Sequence, residues 1–232
     1  RRVVVKLGSN LFFNSEGTLA LDRISALIED LAAEREKGRQ IIVVSSGAVA
    51  LGANALHQKA QSAVLVQKQA FAAVGQSRLM NLYEQGFAHH GMVAAQVLLT
   101  SEDFSNTHRF TNLRNVLTAL LEMEVIPVIN ENDTVSAEEL EVSNRNPTFS
   151  DNDQLSALVM SRLDANLLVL LSDVNGLYTG NPNEDPSASL IPEVHDITSE
   201  IESLAGTKSL RGRGGMATKI HAAGTAMAAG GM

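Results

Sequence analysis

3-VVVKLGS-9 sets three valines and a leucine around one lysine and then breaks at Gly8-Ser9. A nearly continuous apolar run of this length reads as a strand buried on both faces, and the Gly-Ser pair as the turn that ends it. Leu21, Ile24, Leu27, Ile28 and Leu31 follow at helical spacing, Gly38 stands where a helix stops, and 41-IIVVS-45 supplies a second β-branched run. The unit is β-α-β, and it repeats. A helical stretch over 64–88 precedes 93-VAAQVLL-99, a helix near 110–122 precedes 125-VIPVIN-130, and a helix near 153–163 precedes 167-LLVLL-171. Five apolar runs alternating with helices predict an α/β fold, a three-layer αβα sandwich around a mainly parallel central sheet.

In such open sheets, ligands bind beyond the carboxyl ends of the strands. Lys6, Ser46, Asn130 and Asp173 all fall at or just past a strand end, so groups far apart in sequence are expected to meet along one edge. Lysines are seldom buried unless paired, and the alternative for Lys6 is a plain solvated strand terminus. The stretch 151-DNDQLSA-157 crowds two carboxylates at the start of a helix. Asp153 there can lie between two ammonium groups, those of Lys6 and Lys219, while Asp151 and Asn152 cap the helix or face a ligand. An N-cap cluster with no further role explains the same letters.

In 214-GGMATKI-220, two glycines let backbone N–H groups approach an anion where a helix begins, and Lys219 adds a charge in its first turn. The pattern is not a P-loop. Gly212, Gly214 and Ala217 fit G-x-G-x-x-A but follow no strand, so a dinucleotide site is not expected. A simple glycine turn remains the plain alternative. The stretch 130-NEND-133 mixes donors and acceptors: with Asn152, the pair Asn130 and Asp133 offers the carboxylate and amides that a free amino acid needs. An Asx turn accounts for it equally. Ser46 and the N–H of Gly47 in 45-SSG-47 can face an anion, or only turn a strand into a helix. His89 and His90 precede Gly91 as a solvated helix end, and no H-x-x-x-H metal spacing occurs, so no histidine is expected in catalysis.

Composition narrows the class. The chain has 232 residues, 44% hydrophobic and 19% charged, enough for one domain burying roughly 70–75% of its unfolded surface. No apolar run reaches the ~18–20 residues of a spanning helix, and Lys6 interrupts the only apolar stretch near the N-terminus, so a cytoplasmic protein is expected. Without cysteine there is neither a disulfide frame nor a thiolate site. Twenty-six acids against 18 bases, a net charge of −8, argue against a nucleic-acid surface, and the absence of Trp removes the best stacking platform. Two long loops, 134–150 and from 180 to about Arg213, exceed ordinary connections and read as lids, binding elements or disordered segments. The tail 222-AAGTAMAAGGM-232 ends without a last strand.

Seven blocks, 3-VVVKLGS-9, 43-VVSSGAVALG-52, 73-AVGQSRLM-80, 126-IPVINENDTV-135, 151-DNDQLSA-157, 172-SDVNGLYT-179 and 214-GGMATK-219, resemble in order the amino acid kinase family, in its branch that phosphorylates the γ-carboxylate of L-glutamate at the start of proline biosynthesis. The resemblance implies a single catalytic domain over 1–232, without the C-terminal accessory domain that many members carry. It implies that Lys6 and Lys219 neutralise the transferring phosphoryl group and that Asp153 organises them. Ser46, Gly47, Asn130, Asp133 and Asn152 would hold glutamate. Lys6, Gly8, Ser9, Ser172 and Asp173, with Arg213, Gly214, Gly215, Met216, Ala217, Thr218 and Lys219, would hold ATP as its Mg2+ complex, with no metal ligand from the protein. Proline as feedback inhibitor and a homo-oligomer, dimer or tetramer, are further implications. Arg213 stands where the family commonly has threonine, Asn181 where aspartate is commoner, and 144-NRNPTFS-150 lengthens the loop bordering the glutamate and proline region. The rival readings are a relative acting on N-acetylglutamate or a nucleoside monophosphate, and a non-catalytic amino-acid sensor on the same fold.

Overall fold

The structure, a computed structural model, describes residues 1–136, 151–182, 184–205 and 215–232. Its strands in chain order are β1 (Arg2–Leu7), β2 (Gln40–Ser45), β3 (Ala94–Leu99), β4 (Ile126–Glu131) and β5 (Leu167–Leu171). They form one sheet in the order β3-β4-β2-β1-β5, every pair parallel. The helices between and after them are α1 (Leu21–Glu36), α2 (Ala48–Ala55), α3 (Leu65–Ala88), α4 (Glu102–Ser105), α5 (Thr107–Glu122), α6 (Asn152–Arg162), α7 (Ser199–Ser203) and α8 (Met216–Ala228). Parallel strands need crossovers, and the helices supply them.

Alternation along β1 decides what each face of the sheet holds. Val3, Val5 and Leu7 join Ile41 and Val43 under α1, α2 and α3, against Ile24, Ile28, Leu51, Leu79, Tyr83 and Phe87. Val4, Ile42 and Val44 point the other way and pack with Leu117 and Leu121 of α5, Leu155, Val159 and Met160 of α6, and Ala226 of α8. Three layers result, each buried aliphatic side chain contributing about 1.5–3 kcal/mol. Lys6 shares the parity of Val4. It therefore leaves β1 on the side that α6 and α8 cover.

Helix α3 packs across α2 at two glycines. A Cβ at Gly52 would overlap the backbone of Phe71, and one at Gly75 the backbone of Ala48, so alanine at either position forces the helices apart. The helix read from sequence near 110–122 begins earlier, at Thr107, because the side chain of Asn106 accepts from the N–H groups of His108 and Arg109 and starts it there. Beyond β5 the chain forms an antiparallel bridge between Tyr178 and Leu190 and then α7, capped by Thr198. The small-residue tail is helical over most of its length, and Met232 exchanges two backbone hydrogen bonds with the outer edge of β5, at Asn166 and Leu168. The loop read over 134–150 is described only to Ser136. Among the described residues, no helix is long and apolar enough to cross a membrane.

Candidate active site

One carboxylate holds two ammonium groups at the carboxyl edge of the sheet. Asp153 sits in the first turn of α6 and is 1% exposed. Its Oδ1 lies 2.7 Å from Nζ of Lys6, and its Oδ2 lies 3.3 Å from Nζ of Lys219. Lys6 is itself 5% exposed. Thr218 donates its hydroxyl to the same Oδ2 at 2.8 Å and is also 2.9 Å from the carbonyl of Gly215, the residue that precedes α8. Burial alone would raise the Asp153 carboxyl. The Lys6 ammonium, then Lys219 and the Thr218 hydroxyl, outweigh it and hold the group below its usual range. The cluster carries a net positive charge in a largely dry setting, where an anion is the fitting guest.

Beside it stands a set of neutral groups. Asn152 donates through Nδ2 to Oγ of Ser46 at 2.8 Å and to Oδ1 of Asn130 at 3.0 Å. Asn130, at the end of β4, donates to Oε1 of Gln76 on α3 at 2.9 Å. Below Ser46, the wholly buried Tyr83 donates to Oγ of Ser45, which donates to the carbonyl of Ser46. Burial pushes the Tyr83 hydroxyl up, an effect only partly offset by Ser45. Gly47 adopts φ 113°, the left-handed conformation that lets β2 turn directly into α2, and a Cβ there would press on the Phe12 ring at 3.1 Å.

Asp151 caps α6, its Oδ1 accepting from the N–H of Gln154 at 2.9 Å. Its Oδ2 is buried without a hydrogen bond, and so is Oδ1 of Asn152. Burial raises the Asp151 carboxyl, the Gln154 N–H pulls it back, and the charge of Asp153 raises it again.

The expected residues thus fall into separate groups. Lys6, Asp153, Thr218 and Lys219 meet, and so do Ser46, Asn130 and Asn152. Ser172 and Asp173 follow β5, bonded to each other, and Asp173 also accepts from the side chain of Asn10 at 3.4 Å. Gly8 and Ser9 open a 3-10 turn after β1, and a Cβ at Gly8 would stand 3.7 Å from Nζ of Lys6. Gly215, Met216 and Ala217 start α8. Asp133 is half-buried in the turn after β4. Arg213 and Gly214 lie outside the described residues. The open oxygen of Asp151, and the parts played by Gln76 and Tyr83, were not anticipated. Asp151 was legible as a cap, whereas no local signal marks a glutamine or tyrosine inside a long helix as a partner of a strand end.

A family model described as the amino acid kinase family matches residues 1–232. A glutamate 5-kinase of Trichlorobacter lovleyi is 50% identical over 224 residues, 96% of this chain and 58% of the relative. A glutamate 5-kinase of Myxococcus xanthus is 49% identical over 96% of this chain and 57% of its own length. The protein named glutamate 5-kinase 2 in Bacillus subtilis is 43% identical over 99% of this chain and 60% of its own. The chain therefore spans less than two thirds of the length of these curated relatives.

Proposed function

We propose that this chain, which belongs to the amino acid kinase family, transfers the γ-phosphoryl group of ATP to the side-chain carboxylate of L-glutamate, giving γ-glutamyl phosphate and ADP. The observation that carries the reading is the buried Lys6, Asp153 and Lys219 cluster at the edge where open parallel sheets bind ligands. The names of the similar proteins support the choice of acceptor.

A glutamate side chain has a pKa near 4.3 and is already an anion at neutral pH, so attack on phosphorus requires no general base. A carboxylate oxygen forms the new O–P bond while the bond to the β-phosphate oxygen breaks, and the electron pair leaves with ADP. What the protein must supply is alignment and positive charge. Lys6 and Lys219, held by the two oxygens of Asp153, are suited to meet the equatorial oxygens of the transferring group. The N-terminus of α8 and residues Gly8, Ser9, Ser172 and Asp173 border the same edge and are assigned to the nucleotide.

The acidic groups fit a Mg2+ that arrives on the nucleotide. Both oxygens of Asp153 are taken by lysines, and no three His, Asp or Glu side chains gather among the described residues, a donor set suited to ligation mainly by phosphate and water. When bound, the ion offsets charge on the β- and γ-phosphates.

Ser46, Gly47, Asn130, Asp133 and Asn152, with Asp151 added, are assigned to the amino acid. Two buried acceptors without hydrogen bonds, on Asp151 and Asn152, favour a free ammonium over an acetylated nitrogen. Two ammonium groups desolvated around one carboxylate are costly for a sensor that transfers nothing, which favours the enzyme. The reading extends to one catalytic domain over 1–232, a cytoplasmic setting, a homo-oligomer and inhibition by proline, all supported by the family resemblance.

The test is ADP release with Mg-ATP and L-glutamate, with hydroxylamine added to trap the acyl phosphate as hydroxamate. Hydroxamate from L-glutamate and none from N-acetylglutamate is the expected result. Turnover of N-acetylglutamate alone, or ATP binding with no turnover of either, overturns the assignment.

A further inference from the structure

We infer that Gln76, on α3, is a specificity-determining positioning residue: together with the Glu131 N–H it holds Asn130, and through Asn130 it keeps one face of the Asn152 amide toward the substrate. The inference rests on the amino-acid site just proposed.

The direction of the hydrogen-bond chain follows from one backbone group. The N–H of Glu131 lies 2.9 Å from Oδ1 of Asn130, and a backbone N–H can only donate, so the oxygen of that side chain must face it. The Asn130 amino group then faces Oε1 of Gln76, and Gln76 in turn donates to Oε1 of Gln96 at 3.4 Å. Because the Asn130 oxygen also receives Asn152, it is the amino group of Asn152 that must point inward, where it is shared between Asn130 and Ser46. The donors of Asn152 are spent. Its oxygen is buried with nothing to accept, and so is Oδ2 of Asp151, the residue before it in the chain.

Two buried acceptors without donors call for a guest that brings N–H groups, and an ammonium brings three. The Ser46 hydroxyl, having accepted from Asn152, keeps its own proton for a carboxylate. The relay thus gives the pocket a polarity that suits an α-amino acid. Asn130 is 2% exposed, so removing the Gln76 oxygen strands its amino group. Held then only at its oxygen by the Glu131 N–H, the side chain shifts toward another acceptor, its contact with Asn152 lengthens, and the Asn152 amide is free to turn and present N–H groups where the ammonium should sit.

Glutarate, which is glutamate without the ammonium, isolates this effect. KM for L-glutamate and Ki for glutarate as a competitive inhibitor would be measured in the wild-type chain and in Gln76→Leu and Gln76→Glu. Gln76→Leu is expected to raise the glutamate KM about tenfold, with kcat, the KM for ATP and the glutarate Ki nearly unchanged. Gln76→Glu retains an accepting oxygen and should stay near the wild-type ratio of the two constants. A parallel weakening of both ligands in Gln76→Leu, as expected of a merely structural defect, overturns the inference alone. Should that variant not fold, Gln76→Met removes the same acceptor and is read the same way. A wild-type chain that does not phosphorylate L-glutamate overturns the functional reading and this inference with it.

Discussion

The two halves of the candidate site solve opposite problems. Around Asp153, two ammonium groups share one carboxylate, which is held below its usual range and leaves a net positive charge; around Asn152, neutral amides are chained together and two acceptors are left waiting. Asp151 and Asp153 stand in the same helix start and titrate in opposite directions. Position along the chain does not decide this. Lys6 and Lys219 pair directly with the one, while backbone N–H groups engage the other and Lys6 acts on it only through space. A half with an uncompensated positive charge is suited to a guest that gathers negative charge during reaction, and a half with open acceptors to a guest that only needs holding.

Removing a cation breaks the comparison most severely. Lys219→Met should lower kcat by roughly 10²–10³-fold in the hydroxamate assay while the glutamate KM changes little. A loss confined to KM would move Lys219 out of the phosphoryl site. Lys6→Met should match it in kcat and also cost about 3–5 kcal/mol of stability, since Asp153 is then left buried and half-paired.

On the neutral side, Asp133→Ala is expected to raise the glutamate KM by on the order of tenfold or more, through loss of a carboxylate partner for the ammonium. An unchanged KM would remove Asp133 from the substrate site.

Thr218 tests whether the charged half depends on its one neutral donor. Thr218→Val should reduce kcat about tenfold, and Thr218→Ser should restore most of it. The hydroxyl favours the ionised form of Asp153, so its loss raises that carboxyl and moves the acid limb of the rate profile to higher pH. An unmoved acid limb would show that Thr218 acts elsewhere.

The smallest effect sharpens the contrast between the aspartates. Because the folded state raises the Asp151 carboxyl, its ionised form opposes folding at neutral pH; Asp153, lowered, supports folding at neutral pH and ceases to do so as pH falls through its folded value. Asp151→Asn keeps a capping side chain and removes the penalty. Its Tm at pH 7 should rise by on the order of 2–4 °C, with the gain shrinking as pH falls and the wild-type carboxyl takes up a proton. The same variant should bind glutamate more weakly. A lower Tm at pH 7 would mean that the carboxylate is not penalised.

Much of this was legible in the sequence. A lysine inside 3-VVVKL-7 reads either as a paired group or as a solvated strand end, and the structure has the first, because alternation along β1 sends it toward α6 and α8, where Asp153 and Lys219 stand. The strands were legible because a sheet covered on both faces requires continuous apolar runs. Thr218 was assigned to ATP, yet its hydroxyl is committed to Asp153. Asn130 was assigned to glutamate, yet its amino group is committed to Gln76. Such commitments depend on the distance between elements remote in sequence, which neither periodicity nor turn chemistry encodes. The capping of α5 by Asn106 is the reverse case, a local signal present in the letters and passed over.

The close crossing at Gly52 and Gly75 ties the history of two positions together. Neither can acquire a side chain without parting α2 from α3, and those helices carry Gly47 at the start of one and Gln76 beside the joint in the other. Drift at either position would be felt as altered substrate choice as well as lost solubility. In a library randomised at both sites and selected for growth that depends on the chain's own activity, glycine should return at each.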